Sequence, residues 1–128
     1  MTLPGAELCQ RMLEHARGDP AREVCGLIGA HNRQPCSYYP VANVSPTPAR
    51  AFVMDPEGQI DALRRMRDRD EVMFGIFHSH PDGAGRPSPT DLALAAYPDM
   101  VYYIAAVNGT DAELHGWFYD GHGFSPLS

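Results

Sequence analysis

Residues 72–91 read VMFGIFHSHPDGAGRPSPTD. The apolar run 72–80 predicts a β-strand that ends in two histidines. Successive strand side chains point to opposite faces, so His78 and His80 share one face and Ser79 points away. Two imidazoles about 7 Å apart along one face can both reach a single cation. The next seven residues hold two glycines and two prolines, a loop that reverses the chain. A helix is predicted over about 89–96, which places Asp91 in its first turn. Asp91 can then return to the histidines as a third ligand. Two histidines and a carboxylate leave the fourth tetrahedral position open for water, the pattern of a catalytic zinc site.

The same residues admit plainer readings. A histidine on an apolar face is commonly a core or rim residue. Ser88-Pro89-Thr90-Asp91 has the form of a capped helix start, with Ser at the N-cap, Pro at the first position and an acid at the third. Capping and metal support are compatible for Ser88. For Asp91 they compete, because a carboxylate on an ion is less free to cap.

Glu23 weighs towards the metal. It heads the apolar strand predicted over 23–29, Glu-Val-Cys-Gly-Leu-Ile-Gly, where a buried carboxylate is expensive without a partner. A water on an ion is one such partner; an arginine, Arg22 or Arg50, is the other. Beside that water, Glu23 can take its proton and deliver it to a leaving amine. Zinc would lower the water's pKa towards about 7 and polarise a carbonyl, and Ser88 can help hold the oxyanion that forms.

Working outward, the chain punctuates cleanly. A helix is expected over about 4–16, with Leu8, Met12, Leu13 and Ala16 on one stripe. Residues 31–35 form a turn and 36–44 a Tyr- and Val-rich strand. Residues 51–54 read as a short strand, and Asp55-Pro56 as a helix start. That helix is expected to turn Ile60, Leu63 and Met66 inward and its arginines mostly outward. Residues 100–107 make a strong strand, Asn108-Gly109 signals a hairpin, and 113–119 return. Helices spaced around mostly antiparallel strands suggest a layered α/β domain. The 100–107 strand is expected either at the centre of the sheet or at an edge, pairing between chains.

Composition sets the frame. The 128 residues fit one domain, 1–128. Net charge is −6, and all ten cations are arginine. This balance argues against sequence-independent nucleic-acid binding, which runs on phosphate neutralisation, and against attraction to anionic membranes. No segment reaches the 18 or so apolar residues of a membrane helix, and the first residues do not read as a signal peptide. Cys9, Cys25 and Cys36 are an odd set without a CxxC pair, so no disulfide framework is expected and a reduced, cytoplasmic setting is. Cys25 shares a face with Glu23 and is expected chiefly as a small packing residue. His15, His31, His115 and His122 have no partners at ligand spacing and read as surface or turn residues.

At these residues the sequence resembles the JAMM, or MPN-plus, metalloprotease family. Its motif is an upstream Glu, then His-x-His, seven residues, Ser, two residues and Asp. Glu23, His78-Ser79-His80, Ser88 and Asp91 match every position. The resemblance implies a single-domain α/β/α sandwich on a curved, mixed sheet, of the cytidine-deaminase-like kind. It implies one zinc held by His78, His80 and Asp91, Glu23 as general acid/base, and Ser88 as transition-state support. Family members cleave after the C-terminal glycine of ubiquitin or ubiquitin-like proteins. This chain looks like the small stand-alone prokaryotic members, some of which process ubiquitin-like sulfur carriers ending in Gly-Gly, the partner expected here. Three rivals stand beside that expectation: a DNA-repair-associated relative with a similar pattern, a phage-tail-type peptidase, and a non-catalytic MPN scaffold. The scaffolds typically lose metal ligands, which are all present here.

Overall fold

The structure, a computed structural model, describes residues 3–127. The elements run α1 (Ala6–Gly18), β1 (Cys25–His31), β2 (Gln34–Val41), α2 (Pro56–Asp68), β3 (Val72–His80), α3 (Pro89–Leu94), β4 (Met100–Asn108), β5 (Asp111–Tyr119) and β6 (Phe124–Pro126). The strands form one six-stranded sheet in the order β2-β1-β3-β4-β5-β6. Every neighbouring pair is antiparallel except β3 and β4, which run parallel. The sheet is therefore mixed, and β4 is interior rather than at an edge.

Both faces of the sheet are covered, which explains why β1, β3 and β4 are apolar without strict alternation. On one face α1 packs Leu8, Met12 and Ala16 against Ile28, Phe77 and Tyr103. Its stripe recurs every four residues, as expected, with Leu13 at the margin. On the other face α2 packs Ala62 and Met66 against Leu27, Val41 and Ile76. The result is an α/β/α sandwich. The parallel strands approach closely at Gly75, where an added Cβ would lie 2.3 Å from the Val101 carbonyl oxygen.

Three expectations need correction. Ile60 and Leu63 do not face inward; they are 50% and 39% exposed, while Ala62 and Met66 are buried. The inward stripe of α2 runs Gly58-Ala62-Met66. Its small residues let the helix lie close on β2, where a Cβ at Gly58 would meet Val41 Cγ1 at 3.0 Å. Residues 51–54 are not a strand of the sheet; they make one isolated bridge, Asn43 to Met54. His15 is no free surface residue, since its Nδ1 lies 2.6 Å from the hydroxyl of buried Tyr38.

Candidate metal centre

β3 ends inside the protein, and alternation divides its last residues between the layers. His78 and His80 follow Ile76 onto the α2 face; Ser79 follows Phe77 onto the α1 face. His78 is fully buried and His80 nearly so. Their Nε2 atoms lie 3.1 Å apart. Asp91 Oδ2 sits 3.1 Å from His78 Nε2 and 3.0 Å from His80 Nε2. Glu23, buried just before β1, closes the group. One ligand-capable atom from each of Glu23, His78, His80 and Asp91 lies within 4.8 Å of all the others.

Each side chain is held from behind. The Nδ1–H of His80 donates to the Ala84 carbonyl at 2.9 Å, which turns Nε2 towards Asp91. That loop is fastened in turn: Asp82 Oδ1 accepts from the Ala84 N–H, and Trp117 Nε1 donates to the Gly85 carbonyl. Phe52 stacks on the His78 ring at 4.5 Å between centroids.

Asp91 does both things that the sequence set in competition. Ser88 Oγ accepts from the Asp91 N–H at 3.0 Å, and Asp91 Oδ2 accepts from the Ser88 N–H at 2.9 Å, a complete capping box at the start of α3. The oxygen that caps is the oxygen that faces both histidines, because a carboxylate oxygen has lone pairs enough for more than one partner. Ser88 stands at the rim of the cluster, half-buried.

The donor set fits a metal ion. Glu23 Oε1 and His78 Nδ1 are buried and, among the described residues, unpartnered. Three Lewis-basic atoms converge at 3.0–3.1 Å, close enough to repel unless a proton or a cation lies among them. Two imidazoles and carboxylate oxygens are the ligand chemistry of zinc and its neighbours. The arginine alternative for Glu23 fails: Arg22 turns to Asp19 at 3.5 Å, and neither it nor Arg50 pairs with Glu23 among the described residues.

The electrostatics separate the four groups. Burial pushes Glu23 up to about 7; the charge of His80 opposes this, and Asp91 and Asp82 add to it. Burial also holds His78 below its ordinary value, against the pull of Asp91. For His80, burial works against the charged form, but the hydrogen bond and charge of Asp91 outweigh it and the pKa rises. Asp91 is buried too, yet its bonds to His78 and His80 hold it far below the usual carboxylate range. Burial raises the Cys25 thiol to about 12, with the charge of Glu23 adding to the effect. Its Sγ donates to the Val41 carbonyl at 3.3 Å, so Cys25 packs as expected.

Asp91 also forms one wall of a cavity of about 260 Å³, lined mainly by Phe52, Met54, Ile76, Leu94, Tyr97 and Tyr102. Val53 and Leu94 at its rim are 45% and 58% exposed. Phe52 is thus common to the cavity and the histidine cluster, and nothing in the spacing of residues 51–54 pointed to it. Sequence reasoning also missed Asn43, whose amide joins the Glu23 segment to this wall.

Among known families, the model described as prokaryotic homologs of the JAB domain matches residues 5–118. A desampylase from Haloferax volcanii is 34% identical over 121 residues, covering 90% of this chain and 86% of the relative. A CysO-cysteine peptidase from Mycobacterium tuberculosis is 34% identical over 103 residues, covering 79% and 70%. Among solved structures, a Desulfitobacterium hafniense protein determined in solution superposes with a TM-score of 0.83 at 31% identity, covering 95% of this chain and 86% of that one.

Proposed function

The chain belongs to the prokaryotic homologs of the JAB domain, and from that membership we propose that it is a zinc-dependent peptidase or isopeptidase that hydrolyses the bond after the C-terminal Gly-Gly of a ubiquitin-like sulfur-carrier protein. The observation that carries the reading is the buried group of Glu23, His78, His80 and Asp91. A complete donor set of this kind disfavours a non-catalytic scaffold. Relatives named as a desampylase and a CysO-cysteine peptidase support the choice of a carrier conjugate as substrate.

In this reading His78 and His80 through Nε2, and Asp91 through its carboxylate, hold the ion. Zinc, when bound, supplies Lewis acidity, which acidifies water and polarises a carbonyl. Glu23 accepts a proton from the attacking water and returns it to the leaving nitrogen. Burial raises the Glu23 carboxyl and so favours its proton-donating form, while a cation beside it would favour the carboxylate that accepts, so one group can serve both duties. Ser88, half-buried beside Asp91, would donate its hydroxyl to the developing oxyanion. The apolar cavity beside Asp91 receives side chains of the carrier's extended tail, while glycines let the scissile backbone approach closely.

Two measurements test this. A carrier ending in Gly-Gly and joined to cysteine is incubated with the protein, with and without chelator. Cleavage that chelator abolishes is expected; an intact adduct in both samples sinks the substrate claim. Zinc content reads the site independently: one ion per chain in the parent and in Glu23→Gln, and none in His78→Ala or His80→Ala. Glu23→Gln is expected to lose turnover while keeping zinc, and a near-normal rate would remove Glu23 from its role.

A further inference from the structure

Every polar atom of the Asn43 amide is used. Nδ2 donates to the Glu23 carbonyl at 2.9 Å and to the Ala51 carbonyl at 3.1 Å. Oδ1 accepts from the N–H groups of Ser45 and Val53, both at 3.0 Å. Asn43 therefore ties the backbone of Glu23 to the segment whose Phe52 stacks on His78 and whose Val53 and Met54 line the cavity. The residues on either side of Glu23 are fastened from the opposite face. Fully buried Ser79 accepts the Val24 N–H on its Oγ at 2.9 Å and donates that hydroxyl towards the Arg22 carbonyl at 3.5 Å. The Ser79 N–H donates to the Val24 carbonyl at 3.0 Å, and the Glu23 N–H to the Pro48 carbonyl at 2.7 Å. Residues 22–24 lie outside every helix and strand, and besides the backbone bonds to Ser79 and Pro48 they are held by the side chains of Asn43 and Ser79.

We propose that Asn43 and Ser79 are positioning residues that aim the Glu23 carboxylate: Asn43 sets its backbone relative to the cavity wall, and Ser79 sets it relative to the His78–His80 strand. This rests on the role given to Glu23 above. The Oγ of Ser79 is the only side-chain heteroatom of the His-x-His triplet on the far face, and it fastens the backbone on both sides of the base. A proton acceptor must lie within about 3 Å of the proton it takes, and a misplacement of about 1 Å can lower a rate about a hundredfold. An amide turned to face two carbonyls and two N–H groups holds that tolerance in a segment without secondary structure.

The test uses Asn43→Asp, which keeps the shape and turns both donors into acceptors facing carbonyls, and Ser79→Ala, which deletes one oxygen and leaves the backbone bonds intact. The probe is a Gly-Gly-terminated ubiquitin-like carrier extended by a fluorescent peptide. Each variant is read well below its melting temperature, for kcat, KM, bound zinc and hydrogen exchange at the Val24 amide. The expected result is a kcat about 10–100-fold lower, the range for groups that orient a site from behind, with KM within about twofold and one zinc retained. The Val24 amide should exchange faster in Ser79→Ala. A folded variant of either kind with kcat near the parent value overturns the role of the residue changed, and if Asn43→Asp does not fold, Ser79→Ala decides. Glu23→Gln runs in parallel. If it retains turnover, the reading of Glu23 has failed; if it is inactive while both variants are fast, only the positioning proposal has failed.

Discussion

His15 shows how much one side chain depends on what packs over it. Burial against Tyr38 holds its pKa below the ordinary histidine value, and nearby Asp19 opposes this only in part. The folded state therefore binds protons less readily than the unfolded chain. By linkage, this contribution to stability is present above the unfolded pKa of about 6.5 and is lost as pH falls through the lower folded value. Denaturant titrations should show the parent losing more stability than His15→Gln between about pH 7.5 and about pH 5.5, the range in which histidine titrates; equal losses would count against His15. The sequence placed no partner beside this residue because Tyr38 is 23 positions away. The same limit separates legible from illegible site residues. His78, His80 and Asp91 lie within 14 consecutive residues, where strand alternation and a single loop relate them. Asn43 and Phe52 owe their importance to neighbours that no local period reveals.

At the scale of elements, the capping box of α3 is the clearest case. Ser88→Ala removes the hydroxyl that accepts the Asp91 N–H. Chemical denaturation should show about 1 kcal/mol of lost stability, and turnover should fall as well. A stability loss alone would mean that capping is the whole of its role. The stripe of α1 and the two-sided apolar runs of β1, β3 and β4 are legible, because their period follows from backbone geometry. In α2 size does not track burial: its inward face is Gly58, Ala62 and Met66, and the bulky Ile60 and Leu63 lie outside. Residues 51–54 carry strand-like residue types, but their hydrogen bonds go to the Asn43 side chain, to Thr47 and to Val44 rather than to a ladder.

For the whole molecule, layer order was within reach and strand order was not. Covered faces announce themselves as continuous apolar runs, whereas the neighbours of a strand depend on pairings such as Cys25 with His78, which no short window contains. β6, three residues long, gave no periodic signal at all. A bound ion that prefers the folded state stabilises it by about 2.7 kcal/mol at roughly a hundred times its dissociation constant. The melting temperature should accordingly rise several degrees with zinc and stay unmoved by zinc in His78→Ala; a His78→Ala protein with the parent's zinc-dependent rise would contradict the ligand set. The bond from the Val24 N–H to Ser79 Oγ spans 55 residues, and such distant contacts close late because their loops are costly to form. His78, His80 and Asp91 come from one short stretch of chain, whereas Glu23 reaches them only through the docking of β1 on β3. On the proposed mechanism, a chain in which that docking fails would keep the three candidate ligands close in sequence and lose the proton acceptor beside them.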